Sequence, residues 1–237
     1  MEIGTVRFES KGRISFASGR PLLVVLAGPN GAGKSTFYNN VISPHKLPFI
    51  NAGLISKEMA GKGKRISDEE AAKLAGKARR EHLNKRVDFC METVFSDSKG
   101  HKRDFLRLAQ SAGYMVVLVF IGLDSPELSH ARVMSRVDGG GHAVPPDKLD
   151  ERFPRTIENL RLAIPHLDHV YLYDNSSYDY PYRLVALCNS GKVQMLLPPI
   201  PWWVSKVLPD LGKHESAKSF TAEAEKVFRK LLGNRGA

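Results

Sequence analysis

Eight consecutive residues, Gly28-Pro29-Asn30-Gly31-Ala32-Gly33-Lys34-Ser35, constrain this chain more than any other feature. They fit G-x-x-x-x-G-K-[ST] at every fixed position, and Thr36 follows. Upstream, Pro21 to Ala27 (PLLVVLA) reads as a buried parallel strand, because Leu and Val run without alternation until Gly28-Pro29 stops them. Downstream, Lys34 to Val41 predicts a helix. A strand, a glycine loop and a helix in that order let successive backbone N–H groups converge on phosphate oxygens. Lys34 would reach the β and γ phosphates, and the Ser35 hydroxyl would join a Mg²⁺ shell. The loop implies binding of ATP or GTP through Gly28, Pro29, Asn30, Gly31, Ala32, Gly33, Lys34, Ser35 and Thr36.

The rest of the chain alternates strands with helices. Leu47 to Asn51 is a short strand candidate. Ser67 with Glu70 makes a capping box for a helix over Asp68 to Lys85, in which Ala71, Leu74, Ala75 and Ala78 recur at helical spacing. Val87 to Thr93 and Tyr114 to Ile121 read as strands on either side of an amphipathic helix, Lys102 to Ala112. Ser125-Pro126 opens a helix to about Val137. Gly139-Gly140-Gly141 breaks it, and a second helical stretch follows Pro145-Pro146 to about Leu162, with Pro154 as an irregularity. Val170 to Tyr173 is another strand, Tyr182 to Asn189 with Val193 to Leu197 a hairpin, and Ser216 to Leu232 a last helix. This alternation predicts an α/β fold, a parallel sheet with helices on both faces, whose ligands bind beyond the carboxyl ends of the strands. Residues 1–20 read as an extension with an edge hairpin, 21–180 as the core, and 181–237 as a C-terminal hairpin and helices packed on it.

Composition narrows the function classes. The longest apolar stretch, Tyr114 to Ile121, falls far short of the roughly 18 residues that cross a bilayer, which disfavours a membrane anchor. Met1 to Arg20 does not read as a secretion signal. Cys90 and Cys188 lack the spacing of a metal site or a disulfide framework, so a reducing cytoplasm is expected. The formal charge of +10 suits phosphate-bearing ligands and nucleic acid alike. The basic stretch Lys57 to Arg86 reads as a solvated helix face. No basic stripe interleaved with aromatics argues for nucleic acid as a partner.

Several polar residues fall where chemistry would occur. Glu92 and Thr93 close a strand at the sheet's carboxyl edge, facing the glycine loop, while Asp88 lies earlier in the same strand. Arg132 and Arg136 share a helix face, and Arg152 and Arg155 follow the glycine break. Guanidinium groups closing over a γ-phosphate would offset the charge that develops in transfer, so residues 137–155 read as a lid. Asp174-Asn175-Ser176 reads as a strand-end loop cap, and Trp202-Trp203 as a packing anchor.

The strings LAGPNGAGKST, FINAGL, METVFS, the arginine helix running into GGH and PP, ERFPRTIENL and YLYDNS together resemble, in order and spacing, the zeta-toxin-like family of P-loop kinases. The resemblance spans roughly Leu22 to Ser176. It implies a kinase that moves the γ-phosphate of a nucleoside triphosphate to a hydroxyl of a small molecule, in the best-known members UDP-N-acetylglucosamine, and an antitoxin protein that blocks the site. It further implies Lys34, Arg136 and Arg152 as catalytic, Glu92, Thr93 and Asn51 as substrate-binding, and His142 as part of the GGH element. In one place the chain departs from the pattern. Gly53 stands where the family has the aspartate proposed as general base, and a glycine cannot take a proton. Such a loss is worth about 10²- to 10⁴-fold in rate. A divergent member, a substitution that relieves toxicity, and a substitute carboxylate are the three explanations. Two other functions stay open from sequence: a nucleotide-binding protein with little turnover, and a kinase acting on nucleic-acid ends.

Overall fold

The computed structural model of the chain describes residues 6–8, 14–16, 20–138 and 144–208. Strands β1 (Val6–Phe8) and β2 (Ile14–Phe16) pair antiparallel as a small sheet of their own. The main sheet is built from β3 (Leu22–Ala27), β4 (Phe49–Ile50), β5 (Phe89–Thr93), β6 (Met115–Gly122), β7 (His169–Asp174), β8 (Arg183–Asn189) and β9 (Lys192–Leu196). Its order is β4-β5-β3-β6-β7-β8-β9, parallel through β7 and antiparallel for the last two. The expected hairpin is present, and it extends the core sheet itself.

Every residue of β3 and β6 is buried, as expected for central strands covered on both faces. Each large side chain buried there is worth about 1.5–3 kcal/mol. The Asp88 carboxylate accepts the Leu22 backbone N–H at 2.8 Å, which ties the start of β3 to its neighbour and gives Asp88 a structural part.

Helices connect the strands. α1 (Lys34–Phe37) is shorter than expected and runs on as a π turn over Tyr38–Ile42. α2 (Ala52–Gly61) follows β4, and the amphipathic α3 (Asp68–Lys85) has the predicted bounds and both halves of its capping box. α4 (His101–Ser111) precedes β6; α5 (Pro126–Asp138) and α6 (Pro146–Ala163) flank residues 139–145. Pro154 lies inside α6 without interrupting it. α7 (Trp202–Val207) buries Trp203 against Phe120 of β6, ring centroids 5.5 Å apart, while Trp202 donates to the Asp124 carbonyl. The helix expected over Ser216 to Leu232 and the GGH element with His142 lie outside the described residues. Among the described residues no helix is long and apolar enough to cross a membrane.

Candidate active site

The glycine loop sits at the carboxyl end of β3. Gly33 has φ +86°, a left-handed conformation that disfavours other residues. A Cβ there would lie 2.6 Å from the Tyr182 hydroxyl and 2.7 Å from Asn175 Nδ2. Those two side chains brace the loop: Tyr182 Oη donates to the Gly33 carbonyl (2.9 Å) and Asn175 Nδ2 to the Ala32 carbonyl (2.9 Å). Asn175 Oδ1 in turn accepts the Tyr182 backbone N–H at 3.1 Å. Ser129 of α5 donates to the Asn30 carbonyl at 2.7 Å. Asn175 thus caps the loop after β7, as its sequence suggested, and it also supports the glycine loop.

Lys34 is buried, and its Nζ donates to the Gly28 and Pro29 carbonyls at 2.9 and 2.8 Å. Burial lowers its pKa, Glu92 opposes that at 3.9 Å, and the guanidinium of Arg136 lowers it further. The last effect places Arg136 within electrostatic reach of the loop lysine. Ser35 and Thr36 lie exposed at the mouth of the loop.

Glu92 joins the two halves of the site. Its Oε2 accepts from Asn51 Nδ2 at 2.6 Å and from the Ser35 hydroxyl at 3.5 Å. Asn51 is also the N-cap of α2, its Oδ1 accepting the Leu54 N–H at 3.1 Å. Gly53 is exposed in the first turn of α2, and a Cβ built on it would meet only the Asn51 Oδ1 at 3.2 Å. Nothing in the backbone requires glycine at that position. Thr93 accepts the Phe95 N–H at 3.0 Å, and Phe95 is held at φ +64° in a fully packed setting.

The four arginines singled out from the sequence, two on α5 and two on α6, occupy different surroundings. Arg132 donates to the Asn175 carbonyl at 2.7 Å and lies 5.0 Å over the Tyr178 ring, so it stabilises the loop after β7. Arg155 pairs with Glu151 along α6 at 2.9 Å. Arg152 is half-buried, one turn before Thr156. Sequence reasoning missed what fixes α6: the buried Thr156 donates to the Val94 carbonyl (2.9 Å), and Asn159 donates to the carbonyls of Phe95 (2.9 Å) and Asp97 (3.0 Å). Polar residues on the apolar stripe of an amphipathic helix were the available signal.

An oxygen pair suited to Mg²⁺ is present in Ser35 Oγ and Glu92 Oε2. Among the described residues no group of three or more His, Cys, Asp or Glu could hold a metal ion, so a bound ion would depend on triphosphate oxygens and water.

With this geometry in place, known proteins are informative. The chain is similar in fold to the AvrRxo1-ORF1:AvrRxo1-ORF2 complex with sulphate ions, with a TM-score of 0.60 and 18% identity over 75% of this chain and 61% of that one. It therefore spans about three-fifths of the length of that relative. It is also similar to the PezAT chromosomal toxin-antitoxin system of the human pathogen Streptococcus pneumoniae, with a TM-score of 0.54 and 20% identity over 95% of this chain and 92% of that one. An uncharacterized protein of Haemophilus influenzae is 26% identical over 130 residues, 55% of this chain and 91% of that protein. Beyond the glycine loop, the family model described as Zeta toxin matches residues 57–183, more than half of the sequence, and the chain belongs to the zeta toxin family.

Proposed function

We propose that the protein is a phosphotransferase that moves the γ-phosphate of ATP or GTP to a hydroxyl of a small acceptor, with UDP-N-acetylglucosamine as the acceptor the family resemblance implies. The observation that carries this reading is the position of Glu92, whose carboxylate meets the loop residues Lys34 and Ser35 on one side and Asn51 at the head of α2 on the other. A triphosphate in the loop and an acceptor at α2 would meet there.

Phosphoryl transfer depends mainly on positioning and on neutralising charge. Lys34, poised on two carbonyls, would turn to the β and γ oxygens. Arg136 of α5 and Arg152 of the lid would approach to offset the charge on the transferring group. Glu92, held by Asn51, would orient the acceptor, with Thr93 beside it. Mg²⁺ held by Ser35 would neutralise phosphate charge. Gly53 offers no base, so turnover of the present sequence is expected to be slow. A small antitoxin protein covering the site and a cytoplasmic setting follow from the same reading.

The test compares this chain with its Gly53→Asp variant, each incubated with Mg²⁺, labelled ATP and a panel of nucleotide sugars. Transfer about 10²- to 10⁴-fold faster in the variant is expected. ATP binding without transfer in both would instead support the second reading that Gly53 favours, a nucleotide-binding protein with little turnover.

A further inference from the structure

Lys34 is the one charged side chain between Gly28 and Ser35, so the grip of the loop on phosphate depends on which way its peptide N–H groups point. The peptide units of the loop are trans. A trans unit holds its C=O and N–H on opposite sides, so a donor that fixes one carbonyl also aims the N–H of the next residue. Three carbonyls of the loop are fixed in this way by side chains from distant parts of the chain. Ser129 of α5 donates to Asn30 at 2.7 Å, which aims the Gly31 N–H. Asn175 donates to Ala32 at 2.9 Å, which aims the Gly33 N–H, and Tyr182 donates to Gly33 at 2.9 Å, which aims the Lys34 N–H. Each N–H therefore points away from the element that holds its carbonyl. Among the described residues none of these three N–H groups donates to a protein acceptor, whereas the Ala32 N–H is spent on the Pro29 carbonyl at 3.3 Å.

The donors are themselves held. Asn175 is 7% exposed and uses every polar atom. Its N–H donates to the Gly122 carbonyl at 3.1 Å, its carbonyl accepts from Arg132 at 2.7 Å, and its Oδ1 accepts the Tyr182 N–H at 3.1 Å. An amide with no free bond cannot turn to follow the loop, so the loop takes its shape from the amide. Tyr182 packs edge-on against Phe37 of α1, ring centroids 5.4 Å apart. Burial raises the pKa of its phenol, which keeps the hydroxyl a donor across the neutral range. The Gly33 carbonyl also accepts the Phe37 N–H at 2.9 Å, so Tyr182 shares its task with α1.

We infer that Asn175, Tyr182 and Ser129 are positioning residues for the bound phosphates, acting through the N–H groups of Gly33, Lys34 and Gly31. The inference rests on the nucleotide half of the reading above. It adds three residues that lie 143, 149 and 99 positions from the carbonyls they hold, beyond the reach of any motif around the loop.

The test is calorimetric titration of ATP, and separately of inorganic pyrophosphate, which has no base, into the full chain. Asn175→Ala is expected to weaken both ligands about tenfold, and Ser129→Ala and Tyr182→Phe to weaken both about threefold. The factor should be the same for the two ligands, because the loss lies at the phosphates. Tyr182→Phe keeps the ring on Phe37 and Ser129→Ala removes only a hydroxyl, so these two decide if Asn175→Ala fails to fold. A lowered melting temperature with both affinities within twofold of the parent would assign a packing role and overturn the inference. ATP weakened with pyrophosphate unchanged would overturn it too, by moving the effect to the base. The readings fail separately. A parent that binds neither ligand removes the nucleotide site and the inference together, whereas a parent that binds both with unaltered variants removes the inference alone. Weakened variants, with a Gly53→Asp chain that transfers to no acceptor, leave the positioning role standing and remove phosphotransfer.

Discussion

The two flanks of the site are built to different standards. On the nucleotide flank, each loop carbonyl from Gly28 to Gly33 that carries a described bond meets a specific donor: Lys34 on Gly28 and Pro29, Ser129 on Asn30, Asn175 on Ala32, Tyr182 on Gly33. That flank is pre-organised before any ligand arrives. On the other flank, at the head of α2, Glu92 is held by the Asn51 amide beside the Ser35 hydroxyl, and Gly53 presents no side chain. The contrast teaches that a loop whose carbonyls are held by fixed donors keeps its shape without a ligand, whereas the head of α2 is tied to the loop through one amide and one carboxylate.

Substitutions can break that contrast, the strongest first. Gly33→Ala forces a side chain into a left-handed backbone and against Tyr182 and Asn175, at about 1–3 kcal/mol of strain. ATP affinity measured by calorimetry is expected to fall about 10- to 100-fold. The buried lysine gives a pH signature. Its folded pKa lies below the unfolded value of ~10.4, so the unfolded chain binds more protons between the two values and stability rises with pH across that window. In urea unfolding series the parent should therefore gain stability relative to Lys34→Met as pH climbs toward ~10.4. A flat difference would show that Lys34 is not desolvated in the free protein.

The acceptor flank should respond more gently. Asn51→Ala removes the α2 cap and the Glu92 contact together, a loss of about 1 kcal/mol that should lower the melting temperature by about 2–4 °C. Gly53→Ala is the smallest change. The backbone there is helical, but the new Cβ meets Asn51 Oδ1 at a tight 3.2 Å, so stability should change by no more than about 0.5–1 kcal/mol in either direction. A large loss there would mean that Gly53 has a backbone role, and would sharpen the difference from Gly33 in the opposite direction.

Much of the fold was legible because the signals were local. The capping box at Ser67 and Glu70 fixed the start of α3, and the unbroken apolar runs of β3 and β6 announced buried parallel strands. α2 was missed because Ala52–Gly61 has no buried stripe, and α7 because two tryptophans after prolines look like a loop. α1 ended early because its π turn depends on packing and leaves no mark in periodicity. In the site, Lys34, Ser35 and Glu92 were readable from motif and strand end. The different fates of Arg132 and Arg136 on α5 and of Arg155 on α6 were not, because identical side chains are distinguished only by what the neighbouring elements bring to them.

The sequence by itself determined the glycine loop, the strand before it, the helix after it and the absence of a carboxylate at position 53, since all of these are properties of adjacent residues. Tertiary structure alone decided that Tyr182 and Asn175 brace the loop from about 150 residues away, as the separations of 149 and 143 in their bonds to Gly33 and Ala32 record. It alone buried Arg79 against Phe105 of α4. Burial, partner choice and the pairing of charges depend on which surfaces the sheet brings together, and that information is not contained in any local run of residues.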